Sequence, residues 1–259
     1  MEIDELARDL RDEQEWLDGA VAGLAEGGWL TPTPSPGWAV RDQIGHLAYF
    51  DATATLAITD PDAFQAGLQD LLASDDMDGA TLHRQVAPSV LLATWRGNRR
   101  RLAEAVTGLK DGDRVPWYGP SMSAKSFLTA RLMETWAHGQ DVVDALGLER
   151  PATDRLRHIG QLGFITRGWS YANRGEEPPP VAVRVELVSP SGRPWRYGPD
   201  DATEVVRGPA LDFCLVVTQR RHVDDTGLEV EGAAARDWMT KAQAFAGPAT
   251  TGPGPGGHR

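Results

Sequence analysis

Apolar positions in the first 150 residues recur at helical spacing. Ile3, Leu6, Leu10, Leu17, Val21 and Leu24 mark one face of a first helix. The breaker-rich segment Thr31-Pro-Thr-Pro-Ser-Pro-Gly37 follows. The pattern then predicts a second helix from Trp38 to about Thr59, ended by Asp60-Pro61. A third covers residues 88–109, with Leu91, Trp95, Leu102, Val106 and Leu109 on its apolar face. A fourth runs from about Ser123 to Leu146, with Gly147 placed to close it. Residues 62–86 read as a weaker helix or an excursion. Amphipathic helices of this length joined by loops predict a four-helix bundle.

Beyond residue 150 the pattern changes. A helical stretch (Leu156, Ile159, Leu162, Ile165, Trp169) leads to three prolines at 178–180. Val181–Val188 then alternates apolar and polar residues, as a half-buried strand does, and Ser189-Pro-Ser-Gly192 reads as a hairpin turn. Short strands are predicted at 195–197, 203–207 and 228–231, and helices at 209–220 and 233–245. The expected fold class is α+β: a helix bundle over 1–150, a connecting helix at 151–177, a small α+β domain at 178–247 and a disordered Gly/Pro tail at 248–259.

Charge supports that division. The chain has 259 residues and a net charge of −11, and residues 1–150 carry 24 acidic and 13 basic side chains against 13 of each in the remainder. An acidic chain without a basic cluster argues against nucleic acid as a partner. Arg99-Arg100-Arg101 reads as a solvated helix face. No apolar run is long enough to span a membrane, and the acidic start is unlike a signal peptide, so a cytoplasmic location is expected. The single cysteine, Cys214, lies among Phe213, Leu215, Val216 and Val217 and reads as a small buried hydrophobe.

The chemistry concentrates in two predicted helices. Glu134 and His138 are four residues apart and share a helix face, which Asp141 extends. Such groups are costly to bury without a partner. With His46 from the second helix they make three candidate metal ligands, a number that leaves a coordination position open, as at a catalytic zinc. His46 alone would read as a satisfied core histidine. Asp141 is a candidate for orienting a ligand histidine, or else part of a polar face. Asp42, one turn before His46, has the same two readings, the second being a surface pair with Arg41 or Arg96. Trp117 and Tyr118 precede the ligand helix and are candidates for the wall of a cofactor site, or for a loop anchored by ring packing. Trp38, Trp95, Trp136 and Trp169 read as core.

The segments Gly37-Trp-Ala-Val-Arg-Asp-Gln-Ile-Gly-His-Leu47 and Arg131-Leu-Met-Glu-Thr-Trp-Ala-His-Gly-Gln-Asp-Val142 resemble the two ligand motifs of the DinB-like metal-binding bundles. The second has the form found in mycothiol-dependent maleylpyruvate isomerases, which join such a bundle to a small α+β domain. The resemblance implies a divalent metal, usually zinc, on His46, Glu134 and His138. It also implies mycothiol, or a similar low-molecular-weight thiol, as cosubstrate. The family's arginine at the end of a helix matches Arg220, with Arg221 beside it as a second binding residue, although Gln219 stands where a glycine is typical. A guanidinium there would hold a carboxylate of the substrate or thiol, or else complement the helix dipole.

The implied function is thiol transfer to, or cis-trans isomerisation of, a small electrophile, by a monomer or homodimer. A thiol-independent hydrolase or lyase and a non-catalytic metal or small-ligand binding protein are the alternatives.

Overall fold

The structure, a computed structural model, describes residues 2–73 and 83–257. Part of the 62–86 excursion and His258 lie outside these residues. The chain divides into two compact units, Met1–Glu149 and Arg150–Arg259.

The first unit is built from α1 (Ile3–Val21), α2 (Val40–Thr59), α3 (Pro61–Ala73), α4 (Pro88–Val106) and α5 (Ala124–Leu146). Local chemistry sets their ends. Asp4 and Glu5 lie in the first turn of α1, where the helix dipole favours negative charge. Asp42 Oδ2 accepts from the Ala39 backbone N–H at 2.8 Å and caps α2. Pro88 occupies the first turn of α4, where a missing N–H costs nothing. Ser123 Oγ accepts from Ser126 N at 3.2 Å to start α5, and Gly147, at φ +62°, ends it. Helix α2 packs against α4 and α5, and α1 against α5. The core between them includes Leu17, Val21, Ile44, Leu47, Leu91, Trp95 and Val142.

Residues 61–73 form a helix, one of the two readings the pattern left open for 62–86. Two features of this unit depart from the pattern-based expectation. A short ribbon of β1 (Arg114–Val115) and β2 (Met122–Ser123) closes the loop that carries Trp117 and Tyr118. Two-residue strands are too short to leave a period-two signal. Trp38 is also not a core residue: it is only half-buried and faces the site described below.

The second unit holds a four-stranded sheet of order β4-β3-β5-β6. Its strands are β3 (Val183–Val188), β4 (Pro194–Tyr197), β5 (Glu204–Pro209) and β6 (Glu229–Glu231). β3 pairs in parallel with β5, and the other two pairings are antiparallel. Helices α6 (Leu156–Ile165), α7 (Arg167–Ala172), α8 (Ala210–Val217) and α9 (Ala233–Lys241) complete it. The single helix expected near 153–173 is broken at Thr166, whose hydroxyl bonds back to Leu162 O at 2.8 Å. Trp169, expected in the core, is 43% exposed. The segment after Gly247, expected to be disordered, is tied to this unit: Gln219 Nε2 donates to Thr250 O at 2.8 Å and Gly256 N to Asp225 Oδ2 at 2.7 Å.

One buried polar network locks the bundle. Asp51 in α2 is fully buried and accepts from Arg131 of α5 at 2.9 Å, from Gln14 of α1 at 3.1 Å and from Trp95 of α4 at 3.1 Å. It thus joins four helices at one carboxylate. Removing one partner of such a pair leaves the other charge uncompensated, at a cost of about 3–5 kcal/mol, whereas replacing both by apolar groups is often close to neutral. Urea unfolding followed by tryptophan fluorescence should therefore show Asp51→Ala strongly destabilised. The double variant Asp51→Leu/Arg131→Met should recover most of the loss.

Candidate metal centre

Helices α2 and α5 bring three of the expected residues together. His46 Nε2 lies 3.4 Å from Glu134 Oε2, and His138 Nε2 lies 3.1 Å from the same oxygen. One ligand atom from each of the three lies within 4.8 Å of the others. Among the described residues this is the one group of three His, Cys, Asp or Glu side chains so arranged. The spacing explains it: one helical turn separates Glu134 from His138 on α5, and the packing of α2 on α5 sets His46 opposite.

Aromatic rings flank the cluster. His46 and His138 have ring centroids 4.2 Å apart. Trp38 stacks on His138 at 5.8 Å and 16°, and Phe50 lies 4.5 Å from His46. From Phe50 the rings continue to Tyr118 (5.4 Å) and Trp117 (6.0 Å), and Trp117 stacks on Phe64 at 5.7 Å. The Trp117-Tyr118 loop is therefore both anchored by ring packing and joined to the histidines through Phe50. Tyr118 Oη donates to Tyr49 Oη at 3.5 Å, and burial raises its phenol well above the ordinary value.

The electrostatics suit a cation. Burial, reinforced by the charge of His138, holds His46 down from an ordinary 6.5 to about 4, so its imidazole is neutral at physiological pH. Burial pushes the Glu134 carboxyl up, but hydrogen bonds and charge from His138 and His46 outweigh it and hold it well below the usual carboxylate range. A carboxylate between two imidazoles is a set of oxygen and nitrogen donors that one cation could share. A divalent ion would satisfy all three groups, and two nitrogens with one oxygen suit zinc, Fe(II) or a similar metal.

The remaining expected residues are placed as follows. His138 Nδ1 is 2.5 Å from Gln43 Oε1, so a residue that the sequence did not single out holds the position considered for Asp141. Asp141 accepts from Ser35 Oγ at 3.0 Å. Asp42 does not serve as a histidine partner: it caps α2 and pairs with Arg84 at 2.8 Å, while Arg96 pairs with Asp18. One turn before His46, its carboxylate is drawn to the free N–H at the start of the helix. Arg220 and Arg221 belong to the second unit, just beyond α8. Arg220 Nη1 donates to Thr218 O at 2.6 Å, and Arg221 Nη1 to Arg220 O at 2.7 Å. Gln219 sits at φ +59°, the left-handed conformation that favours glycine at a helix end, and its side chain holds Ala242 O and Thr250 O. Cys214 is fully buried, its thiol pushed up by burial.

The His46 shift carries a pH signature. Between pH 6.5 and about 4 the unfolded chain holds a proton on His46 that the folded chain does not. Metal-free protein should therefore lose stability as pH falls across that window, by on the order of 3 kcal/mol at its acid end. Glu134, with its lowered value, adds stability present above pH 4.5 and lost only as pH falls through its folded-state value. Thermal melts of the metal-free form from pH 7 to 4 should show the first slope in wild type and a flatter one in His46→Gln.

Comparison with known proteins agrees with the motifs. Residues 10–143 match the model of the mycothiol maleylpyruvate isomerase N-terminal domain. Two uncharacterized proteins of Mycobacterium tuberculosis, from strains CDC 1551 / Oshkosh and H37Rv, are each 48% identical over 244 residues, covering 93% of this chain and 95% of their own. Among solved structures, a point mutant of the mycothiol-dependent maleylpyruvate isomerase matches with a TM-score of 0.59 at 16% identity, over 90% of this chain and 96% of that one. The unmutated isomerase matches over the same shares with a TM-score of 0.56. At that identity the likeness concerns the fold: an α+β chain whose bundle precedes a small domain with a sheet. The motifs around His46 and His138 and the family match agree, and the chain belongs to the mycothiol maleylpyruvate isomerase N-terminal domain family.

Proposed function

We propose that the chain is an enzyme that uses a divalent metal on His46, Glu134 and His138 to activate a low-molecular-weight thiol of the mycothiol type against a small electrophile. The observation that carries the reading is the convergence of two imidazoles and a carboxylate on one point. Three protein ligands leave a position for an exogenous group. A metal bound there would favour the thiolate form of an incoming thiol, which is the reactive nucleophile. The chain has no thiol of its own for this task, because Cys214, its single cysteine, is fully buried. An external thiol fits that composition.

The chain's residues take distinct parts. His46 and His138 supply nitrogen donors, and Glu134 supplies the negative charge. Trp38 and Phe50 pack on the two histidines, and Trp117 and Tyr118 extend an apolar wall against which an electrophile or the thiol's carbon chain can rest. In isomerisation the thiolate sulfur bonds to one carbon of an activated double bond. The π electrons move onto the conjugated carbonyl, the former double bond rotates, and their return expels the thiolate unchanged. In transfer the sulfur–carbon bond is kept and the enolate takes up a proton from solvent, balancing the one the thiol gave up on becoming thiolate. Arg220 is assigned the anionic group of substrate or thiol, on its match to the family's arginine.

The test is metal content followed by turnover of an electrophile panel with and without thiol. Wild type should hold close to one equivalent of metal and show thiol-dependent turnover. His46→Ala should lose most of the metal and about 100-fold or more of the rate, consistent with removal of an electrostatic stabiliser. Arg220→Ala should raise KM for anionic substrates more than for neutral ones. Full turnover without thiol would indicate the hydrolytic alternative. Retained metal with no turnover on any electrophile would indicate a binding protein.

A further inference from the structure

Gln43 contacts the His46–Glu134–His138 cluster through its side-chain amide, and it is fully buried. Its two ends face different partners. Oε1 lies 2.5 Å from His138 Nδ1, and Nε2 donates to Thr33 Oγ1 at 2.9 Å. The Thr33 hydroxyl in turn donates to Trp38 O at 3.0 Å. That carbonyl can only accept, so the chain of hydrogen bonds has a direction. Thr33 gives its one proton to Trp38 O, and its oxygen then receives one from Gln43. The amide nitrogen is thereby committed to Thr33, and the amide oxygen is left facing the histidine. An amide oxygen can only accept, which puts the His138 proton on Nδ1. Nε2 is then the nitrogen turned toward the cluster, 3.1 Å from Glu134 Oε2.

Backbone geometry makes the anchor of this relay rigid. The loop is closed by a β-bridge between Pro32 and Ala39, by Val40 N to Thr31 O at 3.0 Å and by Thr33 N to Trp38 O at 2.8 Å. Gly37, at φ +76°, provides the turn. A second tie runs from Ser35 Oγ to Asp141 of α5. The same loop delivers Trp38, which stacks on His138. Ring face and ring nitrogen of one histidine are thus both held from the loop between α1 and α2.

We propose that Gln43 is a positioning residue that holds His138 in its Nδ1–H tautomer, with Nε2 free to bind metal, and that Thr33 fixes the orientation of the Gln43 amide. The proposal rests on the metal reading above only for its effect on affinity. The tautomer itself belongs to the metal-free protein. Partners of this kind typically contribute about 10- to 100-fold in metal affinity.

Two measurements test it. Long-range 1H–15N NMR on metal-free, 15N-histidine-labelled protein reads the tautomer, with the His138 signals assigned by their loss in His138→Asn. Competition with a chromogenic chelator reads zinc affinity. Wild type should show His138 protonated at Nδ1. Gln43→Leu should lose that preference and bind zinc about 10- to 100-fold more weakly. Thr33→Val, which leaves Gln43 in place, should mix the tautomers and weaken zinc by a smaller factor. Gln43→Glu keeps an acceptor facing Nδ1 and should retain the wild-type tautomer. A purely packing role for Gln43 would lower the melting temperature without moving the His138 signals, and would overturn the proposal. So would a wild-type His138 protonated at Nε2, or a zinc affinity unchanged in Gln43→Leu despite an altered tautomer. A wild type that shows the Nδ1–H tautomer yet binds no zinc would support the positioning role and sink the metal reading instead.

Discussion

An ionised carboxylate wedged between two imidazoles, in a pocket walled by aromatic rings, is not at rest without positive charge. Burial holds the His46 imidazole neutral rather than protonated, so it does not itself supply that charge. The convergence of Glu134, His46 and His138 is the constraint around which the proposed function is built. The apolar wall that makes the carboxylate costly to bury also strengthens its hold on an ion.

The scaffold meets this constraint with rigid elements. Both histidines and the carboxylate lie on helices, α2 and α5, and not on loops. Directly behind them Asp51 and Arg131 pair in the same two helices, with Gln14 and Trp95 adding ties to α1 and α4. Arg131 is one turn from Glu134 and Asp51 little more than one turn from His46, so the pair holds the helices in register where the ligands converge. Its guanidinium also lies over the Phe50 ring, 5.8 Å from the centroid, and Phe50 packs on His46. Support and site therefore share side chains. A change at Asp51 should act on both.

Much of this was legible in the sequence because it rests on periodicity. The spacing of Glu134 and His138, the breaker segment before α2 and the alternation of Val183–Val188 all reflect repeats of 3.6 or 2 residues that a chain displays openly. Gln43 and Thr33 were not legible. Their roles depend on which side chains face each other between α2 and the loop before it, and an amide three residues from a histidine carries no signal of its own. Trp38 and Trp169 were read as core because tryptophan is apolar on average, yet one lines the site and the other is 43% exposed. Asp42 went astray for a local reason: at the first turn of a helix a carboxylate finds an unsatisfied N–H sooner than a distant imidazole. At Gln219 a left-handed turn is taken by a residue other than glycine, and its side chain bonds to Ala242 O and Thr250 O.

X-ray absorption at the metal edge of the purified protein is the most direct measurement of the central claim. The expected spectrum has a first shell of nitrogen and oxygen at about 2.0–2.1 Å with outer scattering from two imidazoles, and on addition of thiol a sulfur scatterer at about 2.3 Å. A protein without stoichiometric metal, or a metal without imidazole scattering, would contradict it.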